Sequence, residues 1–376
     1  MILKGVDNMK KKTLVLVGGG HSHIYLLKEF GLNPNSLLNI ILVSEYKYQF
    51  YSGMSAAYLE GIYSKDEIRF DIEKICKVSK IKFIKNKVVE INANEKYIML
   101  SDDKKIEFDI ISVNTGSIMY GLDIKGVRDY ASVIKPLENL ESLREKFISG
   151  IDKRKNILVA GGGAAGFEIA LSLKALSKKL NKVVEVTILD SNSEILSKSN
   201  KKIKKISKKL IRENKINFLA NKKIKEVFKD CILTNEEEKI PYEYLLWALG
   251  SSSSNLYKKS NLKTDIKGFL QVNIFLQSNE YPFLFGAGDC ISIDKYKNLK
   301  KVGVYAIKES KILYNNILKY LDGKELEEFV PKKEFLSIIY SANKTGILNY
   351  KNITFNGKIA FLIKNYIDVN FMKKYK

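Results

Sequence analysis

Short apolar runs that end on glycine turns recur along this chain. The first, Thr13-Leu14-Val15-Leu16-Val17, mixes leucine with β-branched residues and meets Gly18-Gly19-Gly20. A run that is apolar on both faces predicts a buried parallel strand. Ile24 to Phe30 then has helical spacing, and Ile40-Ile41-Leu42-Val43-Ser44 predicts a second strand, closing on Glu45. The same pattern returns further on. Asn156-Ile157-Leu158-Val159-Ala160 leads into Gly161-Gly162-Gly163-Ala164-Ala165-Gly166, a helix to about Leu176, and a strand from Val183 that closes on Asp190. Glu45 falls 22 residues past His23 and Asp190 falls 24 past Gly166, with the two loops 143 residues apart.

The segments between these units also correspond. Ile81 to Leu100 and Ile106 to Val113 read as short strands ending at Asn114-Thr115-Gly116-Ser117. Val227 to Leu233 and then Tyr244 to Leu249 end likewise at Gly250-Ser251. An internal duplication of about 140 residues follows. Ser251 to Asn255 is the expected return to the first half, Phe283 to Asp289 is a third strand and turn, and the pattern changes beyond about Val330. The expected fold is α/β: two Rossmann-like dinucleotide-binding domains, the second inserted in the first, plus a small C-terminal region. The expected boundaries are 10–118 with 252–328, then 119–251, then an α+β region at 329–376.

Composition narrows the reading. With 376 residues and 45% hydrophobic content the chain has material for two cores. It has no uninterrupted apolar run of roughly 18 residues that would span a membrane. Met9 to Val17 has the outline of a secretion signal, but its apolar part is too short and runs into the glycines; it reads as the first strand, with Met9 as its natural start. The net charge of +22 comes almost wholly from lysine, with only five arginines among 64 basic residues. Nucleic-acid recognition favours arginine forks, so the charge reads as a solvated basic surface that also attracts anionic lipid, not as a nucleic-acid site. Cys76, Cys231 and Cys290 are isolated, and the only histidines are His21 and His23. That argues against zinc, non-haem iron and a disulfide framework, and makes the cytoplasm the default location.

A pyrophosphate needs close backbone approach and unpaired N–H donors, which a glycine turn at a helix start provides. Gly161, Gly163 and Gly166 fill all three glycine positions of such a loop. In the first loop Gly18 and Gly20 fit, but His23 stands third. Its ring either reaches phosphate or ribitol oxygens or packs beside the strand. His21 and Ser22, at the same helix start, are further candidate contacts. Glu45 and Asp190 are placed to accept hydrogen bonds from adenosine ribose hydroxyls, and the Asp190 carboxylate repels a 2′-phosphate, favouring NADH over NADPH.

These residues, with Tyr51-Ser52-Gly53-Met54 and Gly286-Ala287-Gly288-Asp289, resemble the pyridine nucleotide–disulfide oxidoreductase-like group of two-dinucleotide flavoproteins. Within it the chain is similar to type II NADH dehydrogenases, and more so to the related proteins associated with selenide, water dikinase; Ile367-Asp368 and Phe371-Met372 echo that subfamily. The resemblance implies FAD in the first domain and NAD(P)H in the second. It places Ser52, Thr115, Gly116, Gly250, Gly288, Asp289 and Tyr305 around the cofactors, with residues 301–307 near the flavin ring and Glu168 facing the nicotinamide as the catalytic candidate. The chain departs from the group in having no cysteine between Phe50 and Tyr58, which excludes a disulfide relay, and in carrying Ala56-Ala57 where the subfamily tends to have Pro-Gly.

The implied reaction is hydride transfer from NADH to flavin, then electron transfer to a second acceptor, a quinone first. Leu362, Ile363, Tyr366, Ile367 and Val369 follow helical spacing with Lys364, Asn365 and Asp368 opposite and Lys373-Lys374 beyond. Such a segment either lies on the inner face of the cytoplasmic membrane as a peripheral contact or packs on its own protein. The alternatives are a soluble diaphorase, a flavoprotein partner in selenium metabolism, a non-catalytic FAD-stabilised module and, less favoured, a sulfide:quinone oxidoreductase-like enzyme. Flavoproteins of this kind often form homodimers.

Overall fold

The apolar run that opens the chain forms strand β1 (Lys12–Val17), followed by helix α1 (His21–Leu32) and strand β2 (Leu38–Ser44). The computed structural model describes residues 11–135, 139–149, 155–332 and 334–376; Met9 lies outside the described residues. Helix α2 (Ser55–Glu60) and strands β3 (Lys82–Lys85) and β4 (Ile110–Val113) come next. The second unit runs β5 (Ala131–Val133), β6 (Lys155–Ala160), α3 (Ala164–Lys179), β7 (Val184–Leu189), α4 (Lys201–Glu213), β8 (Ile216–Leu219) and β9 (Tyr244–Trp247). Strand β10 (Leu284–Gly286) and helix α5 (Gly303–Leu321) then return to the first unit.

Both main sheets are five-stranded and parallel, in the orders β10-β4-β1-β2-β3 and β5-β9-β6-β7-β8. Because β10 follows every strand of the second sheet yet pairs with β4, the second unit is inserted in the first. Where the chain crosses between them, Ile118–Met119 and Ser251–Ser252 pair antiparallel. Parallel strands covered on both faces must be apolar throughout; Leu14, Val15 and Leu16 and, in the second sheet, Val159, Val186 and Ile188 are fully buried.

The lysine-dense run at 201–209 is helical. The Asn200 side chain caps α4 by accepting from Ile203 N at 2.9 Å, and Ile203, Leu210 and Ile211 turn inward while most lysines face solvent. Its apolar positions are sparse, so the lysines obscured the helical period.

The C-terminal region is an antiparallel sheet of β11 (Ser337–Tyr340), β12 (Gly346–Tyr350) and β13 (Ile353–Gly357), against which helix α6 (Lys358–Tyr375) packs. This helix lies with its polar side inward. Lys364 and Asp368 pair at 2.7 Å and are largely buried, whereas Ile359, Leu362, Tyr366 and Ile367 are 64%, 62%, 72% and 44% exposed. The inward apolar contacts come instead from Ala360, Phe361, Met372 and Tyr375. Among the described residues, no helix is long and apolar enough to cross a membrane.

Candidate active site

Each glycine loop leads from the carboxyl end of a central strand to a helix start. Gly18 and Gly161 have φ of +90° and +117°, which glycine adopts without strain. A Cβ at Gly166 would stand 1.9 Å from Gly161 O, so only glycine lets α3 approach β6 this closely. In the first loop the corresponding contact is a hydrogen bond: His23 Nδ1 lies 2.6 Å from Gly18 O, and Nε2 lies 2.9 Å from Ser112 Oγ on β4. The carbonyl requires the proton on Nδ1, leaving Nε2 to accept from the serine. Burial lowers the imidazole pKa to about 4, and the ring is neutral. His23 therefore packs beside the strand with both nitrogens engaged by protein, and neither is left for a ligand.

Asn114 organises the first loop. Its Oδ1 accepts from Ser22 N at 3.1 Å and His23 N at 3.3 Å, and its Nδ2 donates to Ala287 O at 2.5 Å. The turns after β4 and β10 are thereby tied to the start of α1, where Ser22 Oγ also donates to Ala306 O at 2.8 Å. Gly288 N donates to Glu309 Oε2 at 2.6 Å, and burial pushes that carboxyl up to about 7. Asp289 faces Ser117 Oγ at 3.3 Å and Lys135 Nζ at 3.5 Å. Thr115 Oγ1 is 2.7 Å from the Tyr257 hydroxyl.

His21 sits among Tyr51, Phe70 and Phe371, with ring centroids 5.5, 6.4 and 5.9 Å away. Its buried Nε2 has no hydrogen-bond partner among the described residues. Burial lowers its pKa to about 4 against the opposing field of Asp289. Gly116, Gly163 and Gly250 each have open space where a Cβ would stand.

Asp190 directly follows β7 with its carboxylate fixed: Oδ2 accepts from Gly162 N at 2.5 Å, and Oδ1 from Asn192 N at 2.7 Å. Glu45 is exposed and only loosely paired with Lys87 at 3.6 Å. Ser52 is exposed, its carbonyl accepting from Ser55 Oγ. The Tyr305 ring is buried, and its hydroxyl donates to Lys332 O at 3.2 Å.

Glu168 faces the C-terminal region. Tyr340 N donates to its Oε1 at 2.6 Å, and burial raises its carboxyl to about 7, opposed by the Lys364 charge. Lys364 in turn donates to Gly53 O at 2.6 Å, and Tyr51 OH donates to Asp368 Oδ1 at 3.0 Å. The inserted unit, α6 and the segment after β2 thus converge on one polar cluster. Cys290 is fully buried, with Sγ donating towards Ala287 O at 3.3 Å, and all three cysteines are free. Lys135 and Glu309 carry no sequence motif and emerge only from the fold.

Two helix-start cradles, one unit nested in the other, are the architecture of a protein that holds two dinucleotides. Residues 11–309 match the pyridine nucleotide-disulphide oxidoreductase family, and the chain belongs to it. It is 25% identical to a probable NADH dehydrogenase of Dictyostelium discoideum over 96% of this chain and 84% of that protein. It is 22% identical to a type II NADH:quinone oxidoreductase of Staphylococcus saprophyticus, over 97% and 96% of the two chains. The structure of NDH2 from Plasmodium falciparum in complex with NADH superposes with a TM-score of 0.83 at 16% identity, covering 97% of each chain.

Proposed function

We propose that this protein is an FAD-dependent NADH oxidoreductase that passes electrons to a quinone-type acceptor at a membrane surface. In this reading FAD occupies residues 10–118 with 252–328, NAD(P)H occupies 119–251, and 329–376 forms the acceptor and membrane side. The observation that carries it is the pair of glycine-loop cradles with the Glu168, Lys364 and Asp368 cluster between the units. The similarity to a type II NADH:quinone oxidoreductase along nearly the whole chain supports the same choice of substrates.

The residues present suit FAD. At the α1 start the amides of Gly18, Gly20, Ser22 and His23 are taken by Val43 O and by Asn114, which leaves those of Gly19 and His21 to face a phosphate. Asp289 offers a carboxylate for ribitol hydroxyls, and the orphaned His21 Nε2 lies in its field. Bound FAD supplies the ring that takes a hydride and releases electrons one or two at a time. The chain holds and orients it through the turn at residues 18–20, Thr115, Gly116, Gly288 and Asp289, with Glu45, Ser52 and Tyr305 at the margin. Ser22, fully buried with its N–H and Oγ both bonded to protein, braces the loop and is not a ligand contact. Gly161, Gly163, Gly166 and Gly250 cradle the nicotinamide nucleotide, and the fixed Asp190 carboxylate selects NADH by repelling a 2′-phosphate.

Reducing a quinone to a quinol consumes two electrons and two protons, of which the hydride delivers both electrons and one proton. Glu168, with a pKa near 7, holds the second proton at its Oε atoms. Tyr340 N holds that carboxyl, and the Lys364 and Asp368 charges act on it through space in opposite senses. The exposed apolar stripe on α6, with Lys373 and Lys374, rests on the lipid that dissolves the acceptor.

The test is anaerobic addition of NADH to the purified yellow protein, then reoxidation by a panel of quinones and soluble acceptors. Bleaching followed by rapid quinone reoxidation is expected. A protein that binds no FAD, or whose colour NADH leaves unchanged, overturns the reading.

A further inference from the structure

This inference rests on the FAD assignment above. Lys135 lies just beyond β5, the edge strand of the second sheet, yet its ammonium reaches the rim of the first. There it is 3.1 Å from Ser117 Oγ and 3.5 Å from Asp289 Oδ2, with its side chain 28% exposed. Ser117 follows the turn after β4 and Asp289 the turn after β10, so this cation stands at the carboxyl edge of a parallel sheet. Open α/β sheets bind their ligands in that crevice.

The other charged and titratable groups facing this point are few. His21 is neutral. Lys301 donates to Ile291 O and Glu309 accepts from Gly288 N, so each is hydrogen-bonded elsewhere, and the two opposite charges act on Asp289 only through space. Without Lys135 the Asp289 carboxylate would face the cofactor with no cation at ion-pairing distance among the described residues. That disfavours reduction, because a hydride brings two electrons and one proton and so adds one negative charge to the ring. A contact of 3.5 Å to Asp289 and one to a serine hydroxyl leave the third ammonium proton of Lys135 available.

We propose that Lys135 is the cation that sets the charge balance at the flavin, offsetting Asp289 and stabilising the negative charge the ring gains on reduction. In a partly dehydrated crevice such a charge acts more strongly than in water. Since Lys135 is held by the edge of the second sheet, the nucleotide-binding unit itself supplies this charge to the flavin unit.

The test uses full-length holoprotein and no NADH or acceptor. The flavin is equilibrated with a reference redox dye, and its midpoint potential is read for the wild type, Lys135→Met and Lys135→Arg. Expected for Lys135→Met is an equilibrium at least tenfold less favourable to the reduced flavin, about 30 mV for a two-electron couple, with FAD content unchanged. Lys135→Arg should stay within about threefold of wild type. A Lys135→Met potential within twofold of wild type overturns the proposal, as does an arginine variant that falls as far as the methionine one. If Lys135→Met sheds FAD while its thermal unfolding is unchanged, the lysine serves retention and the proposal also fails. A wild-type protein that takes up no FAD defeats the cofactor assignment instead, which needs no variant to detect.

Discussion

The fully buried carboxylate of Glu60 accepts a hydrogen bond from the Tyr340 hydroxyl at 2.6 Å. The same carboxylate meets Lys179 Nζ at 2.8 Å and Asn343 N at 3.0 Å, so one acid joins α2, α3 and the C-terminal sheet. Burial and the neighbouring acid both push the tyrosine pKa up, keeping it a donor. Removing one partner of a buried ionic cluster typically costs about 3–5 kcal/mol. Glu60→Leu, which leaves Tyr340 OH and Asn343 N unsatisfied, should destabilise by about 3 kcal/mol and speed proteolysis near residues 324–336. A loss below about 1 kcal/mol in urea unfolding would show that the cluster is incidental.

Glu168→Gln separates the two half-reactions. The rate at which NADH bleaches the flavin should remain within about threefold of wild type. Quinone turnover should fall by a hundredfold or more, in the range for a missing general acid. In the wild type, turnover should decline as pH rises through about 7, where Glu168 loses its proton; the variant should lack that limb. Equal losses in both half-reactions would assign Glu168 to nicotinamide binding.

Leu362→Ser with Tyr366→Ser changes only exposed positions on α6. Sedimentation with phospholipid vesicles should drop at least tenfold, while reduction of a water-soluble acceptor stays within about twofold. Undiminished vesicle binding would move the membrane contact elsewhere on the surface.

Glu309 is 2% exposed and titrates near 7, above its unfolded value of 4.5. A carboxyl raised on folding stabilises fully below its unfolded pKa, and that contribution is lost as pH rises through its folded pKa. The shift corresponds to about 3 kcal/mol between those limits. Glu309→Gln keeps an acceptor for Gly288 N without the charge. Thermal unfolding of the two proteins should nearly coincide at pH 4.5 and diverge at pH 8 in favour of the glutamine variant. A constant offset at both pH values would locate the pH dependence in other groups.

Both β-α-β units were legible because each is local: an apolar strand, glycines at fixed offsets and an acid at the next strand end lie within about 35 residues. The start of α1 at His21 was not, since the helical period becomes visible only at Ile24. The position of His23 depends on Ser112, on a strand 89 residues away. Lys135 meets Asp289 across 154 positions and Glu60 meets Tyr340 across 280, distances over which no sequence period carries information. The two faces of α6 were readable, but which one turns inward was not. Lys364 and Asp368 neutralise each other, and their buried pairing reverses the usual orientation.

That reversal has a practical consequence for handling the molecule. In buffer without lipid or detergent, the Ile359, Leu362 and Tyr366 stripe finds shelter most readily against the same stripe on a second copy. Particle size measured in such a preparation then reports how well this helix is hidden from water. Reconstitution into nanodiscs, with the stripe already occupied by acyl chains, should give single copies wherever no other surface holds two together.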